Sequence, residues 1–553
     1  MTRAMTPAEP DEGPGATRAM TPAEWIAHDP DPATAAELAA CTPDELAARF
    51  SGSLSFGTAG LRGPLRGGPT GMNLAVVLRA TWALARILAH RKPAGSLVVV
   101  GRDARHGSEN FALGAAEVLA GAGFSVLLLP RPLPTPVLAY TVRRLDAAAG
   151  VQITASHNPP SDNGYKVYVD GGLPLLSPTD CEIEAAIADA PPADEITRAP
   201  VRPAGDEIVT EYIARAAAVR RGTGSVRIAL SAMHGVGGAT AVETLRQAGF
   251  AEVHTVASQF GPDPDFPTVA FPNPEEPGAT DALLALAAER RADIAVALDP
   301  DADRCAIGMS TEAGWRMLTG DETGWLLGDY ILKHKRPGTI PAVASTVVSS
   351  SMLAAIAAEH GARHVQTLTG FKWLVRAAGD DLVYAYEEAI GHCVDPEAVR
   401  DKDGISAAVL CCDLAAAAKS AGRGLADLLD DLARRHGVHL TFALTRRTEN
   451  SLSVMTRLRA DPPEVLAGFP MTTADLLERD DALRTDALIL AGCAGATAIR
   501  VAVRPSGTEP KIKCYIEIRQ RVDGDLSSAR AAADDVRAAI EHEVPALLQR
   551  GPN

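Results

Sequence analysis

Apolar runs of strand length recur along this 553-residue chain, and each stops abruptly at a loop of polar, glycine or proline residues. Residues 147–153 (AAAGVQI) run into Thr154-Ala155-Ser156-His157-Asn158-Pro159, and residues 292–298 (ADIAVAL) run into Asp299-Pro300-Asp301-Ala302-Asp303-Arg304. Helix-like stretches stand between such runs, around residues 74–89 and from Thr240 onward. This alternation predicts an α/β chain with largely parallel sheets, and in such open sheets ligands bind beyond the carboxyl ends of the strands, where the polar loops fall. At ~100–200 residues per domain the length predicts about three to five domains. Near the end the pattern changes. Two alternating segments within 496–520 flank Arg504-Pro505-Ser506-Gly507-Thr508-Glu509-Pro510, which reads as a hairpin in a smaller α+β unit set off by the Pro- and Asp-punctuated residues 455–475.

The loop at Ser156 places a hydroxyl between small Ala155 and basic His157, with Lys166 ten residues on. Access, a cationic neighbourhood and a titratable partner are what a phosphate-carrying nucleophile needs, the alternative being a turn or N-cap serine. In the second loop, Asp299, Asp301 and Asp303 alternate, so on an extended chain they point to one side and can converge on a hard cation such as Mg²⁺. A solvated acidic turn is the alternative. An EF-hand needs Gly at the sixth position and Glu at the twelfth, where Arg304 and Ser310 stand, and a dehalogenase-type phosphatase motif needs Thr or Val where Asp303 stands. Arg304 is placed to bind phosphate oxygens.

Further loops carry residue types that suit phosphates and hydroxyls. Glycines 57, 60 and 63 flank Thr58 and Arg62 and allow backbone to approach a phosphate. Lys372 lies in HVQTLTGFKWL, while Glu387, Glu388 and His392 lie in DLVYAYEEAIGH, where carboxylates suit vicinal hydroxyls; an acidic helix start is the alternative there. Arg504, Ser506, Gly507 and Thr508 can grip a phosphate dianion. Only nine of the 53 basic residues are lysines, and five of these (Lys166, Lys372, Lys402, Lys511, Lys513) fall in these stretches. Because a guanidinium does not give up its proton in a protein, Lys166 is the candidate general acid/base, with Arg62 and His157 expected to shape its pKa.

The net charge of −16 argues against a nucleic-acid surface. No Gly-Lys dipeptide occurs, so a P-loop kinase is excluded. Eight scattered cysteines, none in a zinc or CxxC spacing, predict reduced core thiols and a cytoplasmic location. No run of ~18 apolar residues predicts a membrane span. Residues 1–21 repeat TRAMTPAE around a turn-rich linker and read as a disordered extension rather than a secretion signal.

The run TASHNPPSDNGYKVY, with SFGTAGLRG, DPDADR, TGFKW, EEAIGH, DKDG and RPSGTEP, resembles the α-D-phosphohexomutase superfamily of phosphoglucomutases and phosphomannomutases, and looks most like its phosphoglucomutase 2 and phosphopentomutase branch. The resemblance covers nearly the whole chain from about Trp25. It implies that Ser156 carries a phosphoryl group, that Arg62 reaches it, and that a phosphoserine oxygen joins Asp299, Asp301 and Asp303 around one Mg²⁺. The implied reaction interconverts sugar 1-phosphate and 6-phosphate through a sugar 1,6-bisphosphate, which also serves as activator. Glucose leads as substrate, with phosphopentomutase or phosphomannomutase activity as alternatives and a non-catalytic sugar-phosphate binder as the remote one. In many relatives a serine stands where this chain has Ile390, which implies a site that accepts more than one sugar. The expected architecture is four domains around a central cleft, at 22–205, 206–318, 319–440 and 441–553, in a monomer or homodimer whose partner is a small phosphosugar.

Overall fold

The computed structural model describes residues 20–57, 60–448, 450–505 and 511–549. Among these residues four sheets succeed one another along the chain. In the first, Leu97–Arg102 lies parallel to Ser125–Leu128 and Ala149–Ile153, while Asp162–Val169 and Leu61–Pro64 extend it antiparallel. In the second, Ile228–Ser231 lies parallel to Val253–Thr255 and Ile294–Leu298, and Cys305–Thr311 with Gly314–Met317 add an antiparallel edge. The third sets Ala342–Thr346 parallel to Arg363–Thr367 and Leu382–Glu387, with Gly391–Cys393 antiparallel. The last sheet is antiparallel throughout, in the order Val438–Arg447, Lys511–Gln520, Thr497–Pro505, Leu488–Ala494, Phe469–Asp475, Val465–Leu466.

The unalternated runs are the strands covered on both faces. Every residue of Ala149–Ile153, Ile294–Leu298 and Ala342–Thr346 is buried, as parallel sheets between helix layers require. Helix Leu74–Arg91 shows how the covering layer forms: Asn73 caps it by accepting from the Val76 N–H, and Leu74, Val77, Leu78, Thr81, Leu84, Ala85 and Leu88 make a buried stripe at helical spacing. One continuous core joins the first three sheets, with Val99 and Leu138, Val296 and Ile307, and Tyr384 and Leu410 all in it. The C-terminal sheet closes a separate core against helix Leu526–Gln549.

Three expectations change. The last sheet begins at Val438, so the boundary expected at 440/441 cuts through a strand whose ten residues all pair with Lys511–Gln520. Thr21, placed in the N-terminal extension, caps helix Pro22–Ala27 in a capping box with Glu24, and Met20 packs against a further core of the first sheet that includes Trp25, Val98, Val100 and Leu78; residues 1–19 lie outside the described residues. The cysteines are free thiols, but Cys181 and Cys493 are exposed and Cys41 is half-buried. Among the described residues no single helix is long and apolar enough to cross a membrane. The bent pair Gly404–Ser420 and Leu425–His436 passes that test only jointly, and Gly404–Ser420 is largely buried core helix.

Asp321, in the first turn of helix Gly320–Lys333, shows the electrostatic cost of this packing. Its Oδ1 accepts from the Ser350 N–H at 2.9 Å and the Tyr386 hydroxyl at 2.8 Å, yet burial dominates and pushes the carboxyl from 3.8 up to about 7. Between those values the folded chain holds a proton that the unfolded chain has released, so this group lowers stability as pH rises from about 4 to about 7. Asp321→Asn keeps the acceptor and removes the titration. Melting curves at several pH values should show the variant gaining on the parent across that window, and a constant offset would contradict the assignment.

Candidate active site

Strand Ala149–Ile153 delivers Ser156 into the left-handed region at φ 54°, where its N–H donates to Thr154 Oγ1 at 2.9 Å. The side chain is buried at 1% exposure; its Oγ donates to Asp299 Oδ2 at 3.0 Å and lies 3.2 Å from His157 Nδ1. Arg105 holds this loop from beneath. Its guanidinium donates to the carbonyls of Ser156 and Asn158 (both 2.6 Å), Pro159 (2.8 Å) and Asp162 (3.2 Å), and Asp103 balances its charge at 3.3 Å. Neither residue of this pair stood out in the sequence, although GRDAR follows a buried strand directly.

Asp299, Asp301 and Asp303 follow Ile294–Leu298 as expected, but not as a solvated turn. They are 0–1% exposed, and one oxygen of each falls within 4.8 Å of the others. Ala302 takes φ 53° to bring them round, Arg304 N–H donates to Asp299 Oδ1 at 3.0 Å, and Val236 N–H, in the MHGVGG turn, donates to the Pro300 carbonyl at 2.8 Å. Thr135 opens helix Thr135–Arg144 and meets Asp301 twice, N–H to carbonyl at 2.9 Å and Oγ1 to Oδ2 at 2.5 Å. Lys166 reaches over from Asp162–Val169 to Asp301 Oδ2 at 2.6 Å and Asp303 Oδ2 at 2.9 Å, and Lys402 comes within 3.4 Å of Asp303 Oδ2. Asp301 Oδ1 and Asp303 Oδ1 remain buried without a hydrogen-bond partner, and buried anionic oxygens of this kind fit a hard divalent cation.

The charges sort the roles. Burial, then Asp301 and Asp303, push Asp299 well above the usual carboxylate range; Asp303 is pulled below it despite burial by Lys166, Lys402 and Arg304. Burial lowers the Lys166 ammonium, but Asp301 and Asp303 outweigh it and the net shift is upward, with Lys402 and then Arg62 as minor opposing influences. In this arrangement Lys166 acts as a hydrogen-bond donor to both carboxylates. His157 goes the other way, well below 6.5, through burial and the neighbouring Arg304 and Arg62, which leaves a neutral ring beside Ser156. Arg62 is half-buried, contacts Asn158 Oδ1 at 3.5 Å and, among the described residues, leaves its Nε unpartnered.

The third sheet brings Glu388 beside the metal loop. Thr346 Oγ1 and Ser349 Oγ donate to Glu388 Oε2 at 3.0 and 2.9 Å, and among the described residues Oε1 accepts no hydrogen bond. The helix of Asp321 starts against this loop: a Cβ on Gly320 would lie 1.9 Å from the Glu388 carbonyl oxygen, so only glycine fits. Neighbouring Glu387 is buried and pushed up to about 7 against the pull of Lys402 and Arg304. The loop also docks on the metal loop, with Arg304 Nη1 at 3.3 Å from the Ala389 carbonyl and the Cys305 N–H donating to Ile390 at 3.2 Å. From the C-terminal sheet, Arg504 sits opposite Lys513 beside Tyr515, which feels the charges of Glu388, Arg504, Glu387 and Glu275.

Two sugar-loop expectations are corrected. His392 is fully buried, its ring lying parallel to those of Tyr384 and Tyr386 with Nδ1 3.0 Å from the Tyr384 hydroxyl, because its register opposite Tyr386 turns it into the core and away from the cleft. Ile390 is 1% exposed in the apolar cluster of Ala295, Ala297 and Leu283, so it reads no hydroxyl. Lys372 lies over the Trp373 ring at 6.0 Å, and no contact joins it to the Ser156 cluster among the described residues. Thr58, Ser506, Gly507 and Thr508 lie outside the described residues.

Residues 53–193, 209–312 and 319–436 match, in turn, phosphoglucomutase/phosphomannomutase alpha/beta/alpha domains I, II and III. A probable phosphomannomutase of Haemophilus influenzae is 40% identical over 478 residues, 84% of this chain and 96% of its own. A phosphopentomutase of Mus musculus is 32% identical over 582 residues, covering 94% of this chain and 93% of its own. Among solved structures, a putative phosphomannomutase from Thermus thermophilus superposes with a TM-score of 0.67 at 26% identity, covering 89% of this chain and 99% of that one.

Asp301→Asn removes one carboxylate and should weaken Mg²⁺ binding by about tenfold or more, read by calorimetry on the folded variant; unchanged affinity contradicts the metal assignment. Ile390→Ser truncates a core side chain and should cost on the order of 2–5 kcal/mol in denaturant unfolding, while leaving the ratio of rates between sugar phosphates as it was. A shifted ratio with unchanged stability returns Ile390 to the sugar site.

Proposed function

The chain belongs to the phosphoglucomutase/phosphomannomutase family, and on that premise we propose that it interconverts glucose 1-phosphate and glucose 6-phosphate through phospho-Ser156 and glucose 1,6-bisphosphate, the bisphosphate also serving as activator. Such an enzyme is an intramolecular phosphotransferase, an isomerase. Mannose or pentose phosphates fit the same machinery, as the phosphomannomutase and phosphopentomutase relatives suggest. The observation that carries the reading is the junction of a serine hydroxyl with a buried three-carboxylate cluster, Ser156 Oγ to Asp299 at 3.0 Å, ringed by Arg62, His157 and Lys166. The setting is the cytoplasm, in a monomer or homodimer.

In this reading the substrate phosphate rests on Arg504, Ser506, Gly507 and Thr508, Glu388 accepts hydrogen bonds from ring hydroxyls, and the distal hydroxyl faces phospho-Ser156. That hydroxyl attacks phosphorus: a sugar O–P bond forms, the P–Oγ bond of Ser156 breaks, and the hydroxyl proton passes to a base. His157 is the neutral titratable group beside Ser156 and suits that task. Lys166 keeps its proton and stabilises charge building on Oγ, with Arg62 and Arg304 on the phosphoryl oxygens. Asp299, Asp301, Asp303 and a phosphoserine oxygen would hold one Mg²⁺, which supplies charge neutralisation for the transferring group. The bisphosphate then turns over in the cleft, and its other phosphate returns to Ser156 with the bonds exchanged in the opposite sense. Movement of the C-terminal unit, which has its own core, gives it room.

Peptide mapping of purified protein should find one phosphoryl group on the peptide containing Ser156, and rates with glucose, mannose and ribose 1-phosphates should rank glucose first. Full activity with unmodified Ser156 rejects the mechanism; a faster mannose or ribose reaction rejects only the sugar.

A further inference from the structure

The Glu388 carboxylate has no support of its own. It is aimed by hydroxyls of residues 346–351 (TVVSSS), the run that leaves buried strand Ala342–Thr346 and enters helix Met352–Glu359. Besides gripping Glu388, Thr346 Oγ1 and Ser349 Oγ lie 2.8 Å apart, and the Glu388 N–H points at Ser349 Oγ at 3.3 Å, so the hydroxyls and the carboxylate form one closed cluster.

The opposite side of the same run is held by the C-terminal sheet. Glu517 Oε1 accepts from Ser350 Oγ at 2.7 Å, the Ser351 N–H at 2.8 Å and Ser351 Oγ at 3.0 Å, with His439 Nδ1 at 2.8 Å. Arg500 donates to the carbonyls of Val347 and, at 3.4 Å, Ser349. Val347 and Val348 close the contact against Leu476, Ala487 and Ala502. Glu517 is 4% exposed, and its acceptor oxygen is satisfied by the serine run and His439 alone, so the run cannot leave without stranding a buried charge.

Register then ties this latch to the phosphate grip. Arg500 stands directly opposite Glu517, and Arg504 directly opposite Lys513, on the same pair of strands. Four residues separate Arg500 from Arg504, roughly 13 Å at about 3.3 Å per strand residue. Even spacing puts Arg500, Ala502 and Arg504 on one face, away from Ile499, Val501 and Val503 in the core.

We propose that Arg500 and Glu517 are positioning residues for sugar recognition: when the C-terminal unit is seated on residues 346–351, as here, they clamp that run and fix Glu388 at a set distance from Arg504, so the strand pair spaces the hydroxyl reader from the phosphate grip. The proposal rests on the mutase reading above. Both residues act through Glu388 and touch no substrate.

A double-mutant cycle of Glu517→Gln, Glu388→Gln and the pair, measured as kcat and KM on glucose 1-phosphate, isolates that route. Glu517→Gln alone should lower kcat/KM by about tenfold to a hundredfold, mainly through KM, the scale of losing alignment rather than chemistry. In the Glu388→Gln background the same change should cost less than about threefold, because the group it aims is already gone. Amide exchange over 346–351 should quicken in Glu517→Gln and stay near wild type in Glu388→Gln. Losses that multiply in full, or a lowered melting temperature with unchanged KM, overturn the proposal. Should Glu517→Gln fail to fold, Arg500→Lys enters the same cycle and is judged by the same outcomes. If the wild-type protein turns over no sugar phosphate, the mutase reading fails on that result alone, and unaltered exchange over 346–351 in Glu517→Gln then overturns the latch as well.

Discussion

Three aspartates buried side by side are the costliest arrangement in this protein, and much of the architecture answers them. Asp299, Asp301 and Asp303 are 0–1% exposed. Their mutual repulsion and lost hydration are tolerable only where cations are brought within ion-pair range. No one sheet supplies those cations. Lys166 comes from the first, Arg304 from the loop itself, and Lys402 from the segment after the third. The charges can therefore be buried only when the three sheets are docked, and the continuous core beneath them is the apolar counterpart of that demand. The charge balance that docks the sheets is also the one that raises the Lys166 ammonium's pKa, through Asp301 and Asp303 against the effect of burial.

The loops that meet there are bent in the same way. Ser156, Ala302 and Ile390 all occupy the left-handed region, at φ 54°, 53° and 53°. For a β-branched residue such as Ile390 this is a true outlier, and backbone strain of this kind costs on the order of 1–3 kcal/mol where it persists. Each is held by contacts from elsewhere: Arg105 under Ser156, Val236 and Gly404 against the metal loop, and Cys305 on the Ile390 carbonyl. A Cβ on Gly404 would sit 2.4 Å from the Arg304 carbonyl oxygen, so the close approach that secures the metal loop needs glycine. Local preference yields to geometry where the chemistry sits.

How much of this could be read from the chain depended on the range of the interaction. Ser156, the three aspartates, Arg304 and Glu388 were legible because each follows a strand whose apolar character is local, and the strand end aims the loop. Arg105, Thr135, Arg500 and Glu517 were not, because their partners lie far away in sequence: 51 residues separate Arg105 from Ser156 and 166 separate Thr135 from Asp301. His392 and Ile390 misled for another reason. Both sit in a stretch that looks like a single polar loop, but Gly391–Cys393 pairs back on Leu382–Glu387, and that register sends His392 into the core. The boundary near 440 failed similarly, since a strand that pairs with residues 511–520 carries no local mark of belonging there.

The separation of the core shared by the first three sheets from the C-terminal core has a consequence for how the protein is made. The first draws on residues up to 432 and the C-terminal one on residues from 433 onward. On the ribosome, at about 5–20 residues per second, the three docked sheets are complete in sequence while the final stretch of roughly 120 residues is still being added over on the order of 10 s. For that interval the residues of the charge cluster are all present, and the serine run's outer hydroxyls have no carboxylate to meet. Arg500 and Glu517 follow every residue of that cluster in the chain, so the serine run is made well before the strand pair that binds its outer face.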